Sequence, residues 1–380
     1  MAHIYSTDPN KQSDQVYFLI VKEMVEKKFP GRIELQIIPG GQITRSTQES
    51  LSYTAQGTID LSYQVNSDAQ KWDFSMLASY LPGFFKNLSH QWDVTTTMED
   101  LWSDSMEEYG IVCRWLANTT DMESWEVKLD SDPSSPKDLA GLKIEVSGGI
   151  NGVAANLQRA VDINPVCISI GDLIPGIQTG QLEGAFFTIA PAARLGLIPV
   201  CTHLVRAPAA SSNAWCAINK KWWDSLPEDI RTYMDEEVLP TAYFWSTVMR
   251  ARQVYYMEDT WRDGGVKIVD WQHNEELIEL FKPAIEAELA KMGPEVQKVR
   301  DQFLDDPANA EIYKIPPEKE YGYMKPEIRQ GMEEIIERFC KETGYTYAGP
   351  VEVEQGTPMF DLTNHRTNKT FTYPDMYPWN

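Results

Sequence analysis

"AQGTIDLSY" at residues 55–63 and "QTGQLEGAFF" at residues 178–187 decide the fold. Each reads as a helix end, a glycine, a polar residue, an apolar residue, an acid and then a strand. Gly57 and Gly180 stand where a helix closes through a left-handed residue, a conformation glycine adopts without steric cost. Asp60 and Glu183 occupy matching places behind them. The likeness is either a coincidence of two αβ turns or the mark of two lobes built to one plan.

The surroundings of each stretch favour the second reading. Before the first come "HIYS" (3–6) as a strand and "QVYFLIVKEMVEKKF" (15–29) as a helix ended by Pro30 and Gly31. "IELQII" (33–38) is a strand, "TQESLSYTAQ" (47–56) a helix and "TIDLSYQV" (58–65) a strand. Around the second, "GLKIEV" (141–146), "INPVCIS" (163–169) and "QLEGAFF" (181–187) read as strands. "NGVAANLQRA" (151–160) and "DLIPGIQT" (172–179) read as the helices between them. Strand–helix alternation of this kind predicts an α/β fold, each lobe a mostly parallel sheet flanked by crossover helices. Two such lobes facing each other place strand C-terminal ends around a shared cleft, where open α/β sheets bind ligands.

From Pro227 to Trp261 the pattern is helical, and Asp263-Gly264-Gly265 stops it. About 35 residues rise roughly 50 Å, enough to bridge both lobes, and Pro240 is expected to kink the run. "VKIVDW" (266–271) is then a strand and "EELIELFKPAIEAELAKM" (275–292) a helix. The expected division is lobe I at 1–119 plus about 207–245, and lobe II at 120–206 plus about 246–315. The bridging helix covers 227–262, and 316–380 forms a C-terminal helix and extended tail. Pro-, Thr- and Asn-rich residues 345–380 read as chain laid over the surface or over a partner.

Composition narrows the function. Lys plus Arg number 34 and Asp plus Glu 56, a net charge of −22. Such a surface repels phosphate backbones, so nucleic acid is not an expected partner. No 18-residue apolar run is present to cross a membrane as a helix. The opening Met-Ala-His-Ile-Tyr-Ser has neither a basic nor an apolar leader region, so no signal peptide is read within this chain. Many of the 12 Trp, 17 Tyr and 13 Phe must line cores, and such a chain can also line an aromatic pocket. Five cysteines without a CxxC pair read as buried thiols, not a disulfide framework.

Enzyme signatures do not appear. There is no GxxxxGK[ST], no GxGxxG after a strand, no HExxH, no EF-hand loop and no GxSxG. The five histidines are scattered, without metal-ligand spacing, and no cofactor is expected.

Six short motifs occur in order: "PGGQI" (39–43), "QGTIDLS" (56–62), "LASYLPGFF" (77–85), "SPKDLAGLKIEV" (135–146), "IQTGQLEG" (177–184) and "AINKKWWDSLPEDI" (217–230). Over roughly residues 3–300 the chain resembles the DctP-like extracytoplasmic solute receptors of tripartite ATP-independent periplasmic (TRAP) transporters. "SGGINGVAANLQ" and "PAARLGL" further resemble the branch that carries 2-oxo and other monocarboxylates, whose members often dimerise. The resemblance implies a two-lobed periplasmic solute-binding protein fold, periplasmic residence, a small-molecule solute, TRAP membrane permease subunits as partners, and a homodimer as a further partner state. An enzyme on the same scaffold is the alternative, and a sensing module the third.

The resemblance also implies a site. The family usually holds a carboxylate with an arginine on the strand after "GLK", where this chain has Glu145. A second family position is Phe187, preceded by Phe186 in place of a cation-holding acid, so no metal is expected. By matching position the cleft is lined by Thr7, Asp8, Gln64, Asn66, Trp115, Asn118, Trp125, Glu145, Ser147, Phe187, Asn213 and Trp215. Trp125, Phe187 and Trp215 equally suit core packing, Asn66 and Asn118 suit turns, and Glu145 suits a solvated strand end. Two ligand readings stay open. One is an organic acid anchored by Arg45, Arg114, Arg206 or backbone amides. The other is a cationic, zwitterionic or aromatic solute, since a charged Glu145 would repel a carboxylate and an aromatic face attracts a cation.

Overall fold

Gly57 and Gly180 both close their helices with left-handed backbone, at φ 79° and 75°. The acids behind them are also equivalent: the Asp60 carbonyl accepts from Asn219 N at 2.8 Å and the Glu183 carbonyl from Lys128 N at 2.8 Å. A computed structural model describes residues 2–6, 12–39, 42–44, 47–81, 88–117, 122–146, 152–211, 213–271, 275–304 and 360–373.

The strands are β1 (Ala2–Ser6), β2 (Leu35–Pro39), β3 (Leu61–Val65), β4 (Ile111–Ala117), β5 (Met122–Val127), β6 (Lys143–Val146) and β7 (Asn164–Val166). They continue with β8 (Gly184–Thr188), β9 (His203–Ser211), β10 (Ala214–Asn219), β11 (Lys267–Asp270), β12 (Phe360–Asn364) and β13 (Lys369–Tyr373). The first lobe's sheet has the order β2-β1-β3-β10-β4, and the second lobe's the order β11-β9-β5-β8-β6-β7. In each, three parallel strands joined by helices (β2-β1-β3, β7-β6-β8) meet an antiparallel strand, β10 or β5. The antiparallel members are the strands that arrive from the other lobe. Chain crosses from β4 to β5 and from β9 to β10, entering each sheet from the cleft end, so it must run against the local strands.

A third crossing is helical. Glu228–Tyr233 and Leu239–Asp263 are joined by a widened, π-type turn over Met234–Val238. Pro240 therefore acts through that turn. A proline offers no N–H and crowds the carbonyl four residues back, and a wider turn in the preceding residues relieves both. The long helix packs on helix Gln12–Lys28 and β4 in the first lobe, and on helix Ile189–Arg194 and β11 in the second. Near its end, fully buried Trp261 donates to the Ile189 carbonyl at 3.1 Å.

Helix Gln12–Lys28 buries Tyr17, Phe18, Ile20, Val21 and Val25, and each large apolar side chain so covered contributes about 1.5–3 kcal/mol. One apolar cluster runs from this lobe through Met76, Leu77, Ala78 and Leu81 to Trp125, Phe186 and Phe281. The 3-10 turn Phe74–Tyr80 is the join, since it touches β9 and helices Val153–Ala160 and Glu275–Met292. A separate cluster, with Leu173, Ile177, Ala185, Leu204 and Trp261, covers the other face of the second sheet.

Part of the tail is placed as well. The β12–β13 hairpin lies on the first lobe of its own chain: Trp92 Nε1 donates to the Thr363 carbonyl at 2.8 Å, and Phe371 stacks on Phe244 at 5.0 Å. Arg366, in the hairpin's turn, enters the protein and binds Glu99 and Asp235. The expected C-terminal helix falls in residues 305–359, outside the described residues.

Candidate functional site

On the first lobe's side, the crossing into β10 is held by buried amides. Asn66 N donates to the Asn213 carbonyl at 3.2 Å, Asn66 Nδ2 to the Met76 carbonyl at 2.8 Å, and Gln91 Nε2 to Asn213 Oδ1 at 2.8 Å. Trp215 Nε1 reaches the Val65 carbonyl at 3.3 Å. The structure thus brings Asn66, Asn213 and Trp215 together at the start of β10. Gln64 stands opposite Trp215 and shares its face, but is tied into a separate network. Its Nε2 donates to Ser50 Oγ at 3.0 Å and Ser62 Oγ at 2.8 Å, beneath helix Thr47–Gln56.

On the second lobe's side, register creates an arrangement that linear sequence hides. Glu126 in β5 stands opposite Ala185 in β8, and Ala185 stands opposite Glu145 in β6. Cross-strand partners project to the same face, so two acids flank a single methyl group. Leu204 beyond Glu126 and Val166 beyond Glu145 complete an apolar row. The opposite face carries Trp125, Phe186, Val146 and Val205. One step along the acidic face, Arg206, Ser124 and Phe187 form the next row.

The two acids differ in environment. Glu126 accepts from Ser124 Oγ at 3.0 Å and from Phe187 N at 3.2 Å. Glu145 is only 2% exposed, and its Oε2 has no hydrogen-bond partner among the described residues. Burial pushes its carboxyl up to about 8, because charge is disfavoured away from water. At pH 7 Glu145 is therefore mostly a neutral acid, able to donate a proton or to ionise when a cation arrives. That differs from the solvated strand-end carboxylate and from the permanently repelling charge that the residue type suggests.

Of the three arginines that could replace the missing anchor, Arg114 is engaged by Asp235 at 2.8 Å and by the Cys113 carbonyl at 2.7 Å. Arg206 is engaged by Glu258, and by Asp270 at 3.4 Å. Arg45 lies outside the described residues, as do Thr7, Asp8, Asn118 and Ser147. Trp115 is core, edge-on to Trp102 at 5.1 Å. Trp125 is core too, against Phe186 at 5.5 Å and Phe281 at 6.3 Å, on the face away from the acids. Phe187 is half-buried on the acidic face. Sequence reasoning missed Glu126 and Ser124, although the acid at each end of "ESWE" (123–126) in a buried strand was a readable signal. Among the described residues no group of three or more His, Cys, Asp or Glu is placed to hold a metal ion.

Solved structures share this architecture. A TRAP periplasmic solute-binding protein from Ochrobactrum anthropi, with its C-terminus bound in the ligand-binding pocket, superposes with a TM-score of 0.72 at 18% identity, covering 80% of this chain and 94% of that one. One from Chromohalobacter salexigens with bound D-glucuronate gives 0.70 at 16%, covering 80% and 99%. One from Shewanella oneidensis with bound succinate gives 0.68 at 18%, covering 80% and 98%. At these identities the likeness is one of fold. Residues 2–292 match the model of the family described as bacterial extracellular solute-binding protein, family 7 (DctP), so the chain belongs to that family.

Proposed function

We propose that the chain is the extracytoplasmic receptor of a TRAP transporter. It captures a small organic solute between its lobes in the periplasm and delivers it to the membrane permease subunits. The observation that carries this reading is the pair of sheets with one plan, joined by two strand crossings and one long helix. That construction lets the lobes turn about the crossings and close on a solute that bridges them. Lobe I is then 1–119 plus about 212–245 and lobe II 120–211 plus about 246–315, later than the expected 207 because β9 stays in the second sheet to Ser211, with the strand crossings between β4 and β5 and between β9 and β10. Relatives of the same fold hold D-glucuronate and succinate, which supports a small organic solute. The receptor carries its solute unchanged, in contrast to an enzyme on the same scaffold.

Thermal unfolding against a solute panel tests the reading. A solute at 100 times its dissociation constant adds about 2.7 kcal/mol of stability and raises the midpoint by a few degrees. The supernatant of denatured protein is analysed by mass spectrometry for a co-purified molecule. A bound solute recovered chemically unchanged is the expected result. A solute altered on incubation supports the enzyme, and neither shift nor co-purified molecule overturns the receptor. Sedimentation against the chain mass of 43.3 kDa decides the homodimer.

A further inference from the structure

The acidic face of the second lobe has a chemical preference that the receptor reading leaves open. Glu145 lies one residue from the C-terminal end of β6, the end at which open α/β sheets present ligands. It is buried and lacks a hydrogen-bond partner on Oε2 among the described residues, so the fold has placed a polar group there without satisfying it. Such a group costs stability unless a ligand completes it.

The neighbours decide which ligand. Across Ala185 stands a second acid, Glu126, accepting from a hydroxyl and a backbone N–H. The described cations of this face are already neutralised. Arg206 is paired with Glu258 and Asp270, and Lys143 lies 3.6 Å from Glu183. A carboxylate arriving here would meet Glu145, with a second acid buried behind it, and no uncommitted described base. An ammonium at the end of β6 would meet an orphaned carboxyl able to ionise against it and the half-buried ring of Phe187, with Glu126 buried behind.

We propose that the end of β6 at Glu145 is a subsite for an ammonium group of the solute, with Glu145 as its counter-ion. The proposal rests on the receptor reading and narrows it to amine-bearing solutes, zwitterions included.

A matched four-carbon set tests it: butyrate, succinate, 4-aminobutyrate and 1,4-diaminobutane, plus calcium chloride alone, by calorimetry and thermal unfolding on wild type and Glu145→Gln. The amide keeps the shape and removes the charge. The expected result is binding of an ammonium-bearing member and about 10- to 100-fold weaker binding by E145Q, the loss of one charge-assisted contact. Glu145→Arg should move preference toward succinate. Should butyrate or succinate bind as tightly as the amines, or E145Q bind an amine within twofold of wild type, the subsite is wrong while the receptor stands. Stabilisation by calcium alone that E145Q abolishes would overturn the ammonium in favour of a metal. When no member binds, the molecule recovered from denatured protein decides: an amine supports the subsite, a solute without one overturns it. No recovered molecule overturns the receptor reading, and the subsite with it.

Discussion

Arg366 should be a keystone of the protein, although it lies 74 residues beyond the last residue matched to the family. Its guanidinium donates to Glu99 Oε2, to Asp235 Oδ2 at 2.9 Å and to the Asp235 carbonyl at 2.7 Å. The side chains of Arg366 and Glu99 are 7% and 4% exposed, so this pair is shielded from salt and from water. Arg366→Met leaves apolar bulk but strands the acids. Removing one partner of a buried pair costs about 3–5 kcal/mol. Asp235 keeps Arg114 at 2.8 Å and Glu99 keeps the Trp115 N–H at 2.6 Å, which places the loss at the low end, about 3 kcal/mol. At roughly 2 °C per kcal/mol in a long chain, the midpoint should fall by about 6 °C in calorimetry at pH 7. The fall should persist in 1 M salt, since a surface pair would be screened away and this one is not. Glu99→Gln added to Arg366→Met should recover part of the loss, because it removes the stranded charge. Arg366→Lys should fall between, having no fork to span three acceptors. A midpoint for Arg366→Met within about 1 °C of wild type would refute the assignment of this hairpin as a structural clasp.

Three further outcomes follow from particular contacts. A Cβ on Gly184 would sit 2.3 Å from the Glu126 carbonyl oxygen and 2.8 Å from Val127 Cγ1, so Gly184→Ala must push β8 off β5. Urea unfolding should show about 1–3 kcal/mol lost, and an unchanged midpoint would mean that the strands have slack. Glu145, raised from 4.5 to about 8 by burial, binds a proton in the folded state that the unfolded chain releases. Stability should therefore drop as pH rises through that window, by up to about 1.4 kcal/mol per unit, and Glu145→Gln should flatten the slope. Parallel pH curves for the two proteins would refute it. Burial pushes the thiols of Cys113, Cys201 and Cys216 up, whereas Cys167 is exposed. In a Cys340→Ser background a thiol reagent at pH 8 should titrate one group per folded chain, and a second fast thiol would contradict the packing.

What was legible in the sequence was local. The left-handed glycines at 57 and 180 and the helices at 47–56 and 275–292 depend on neighbours within a few residues, and all appear where the pattern puts them. The antiparallel strands were not legible, because β5 and β10 take their direction from the lobe they come from. Pro240 announced an irregularity but not its form, since a kink and a widened turn relieve the same clash. Trp115 and Trp125 read as well for a pocket as for a core, and only the strand register shows Trp125 on the face away from the acids.

The candidate site follows the same division. Glu145 was visible as a residue whose type departs from its family. Its meaning was not, because that depends on Glu126, 19 positions earlier, and on Ala185, 40 positions later, which only pairing brings into one row. Ala185, between the two buried acids, has no side chain long enough to bridge them itself. The second sheet therefore carries, near the end of β6, a buried carboxyl whose Oε2 lacks a partner among the described residues, while Arg366, from outside the family's span, balances buried acid on the first lobe. The first lobe's acidic cluster is neutralised within the chain, and the proposal leaves Glu145 for a ligand to complete. That contrast is why the hairpin reads as structure and Glu145 as function.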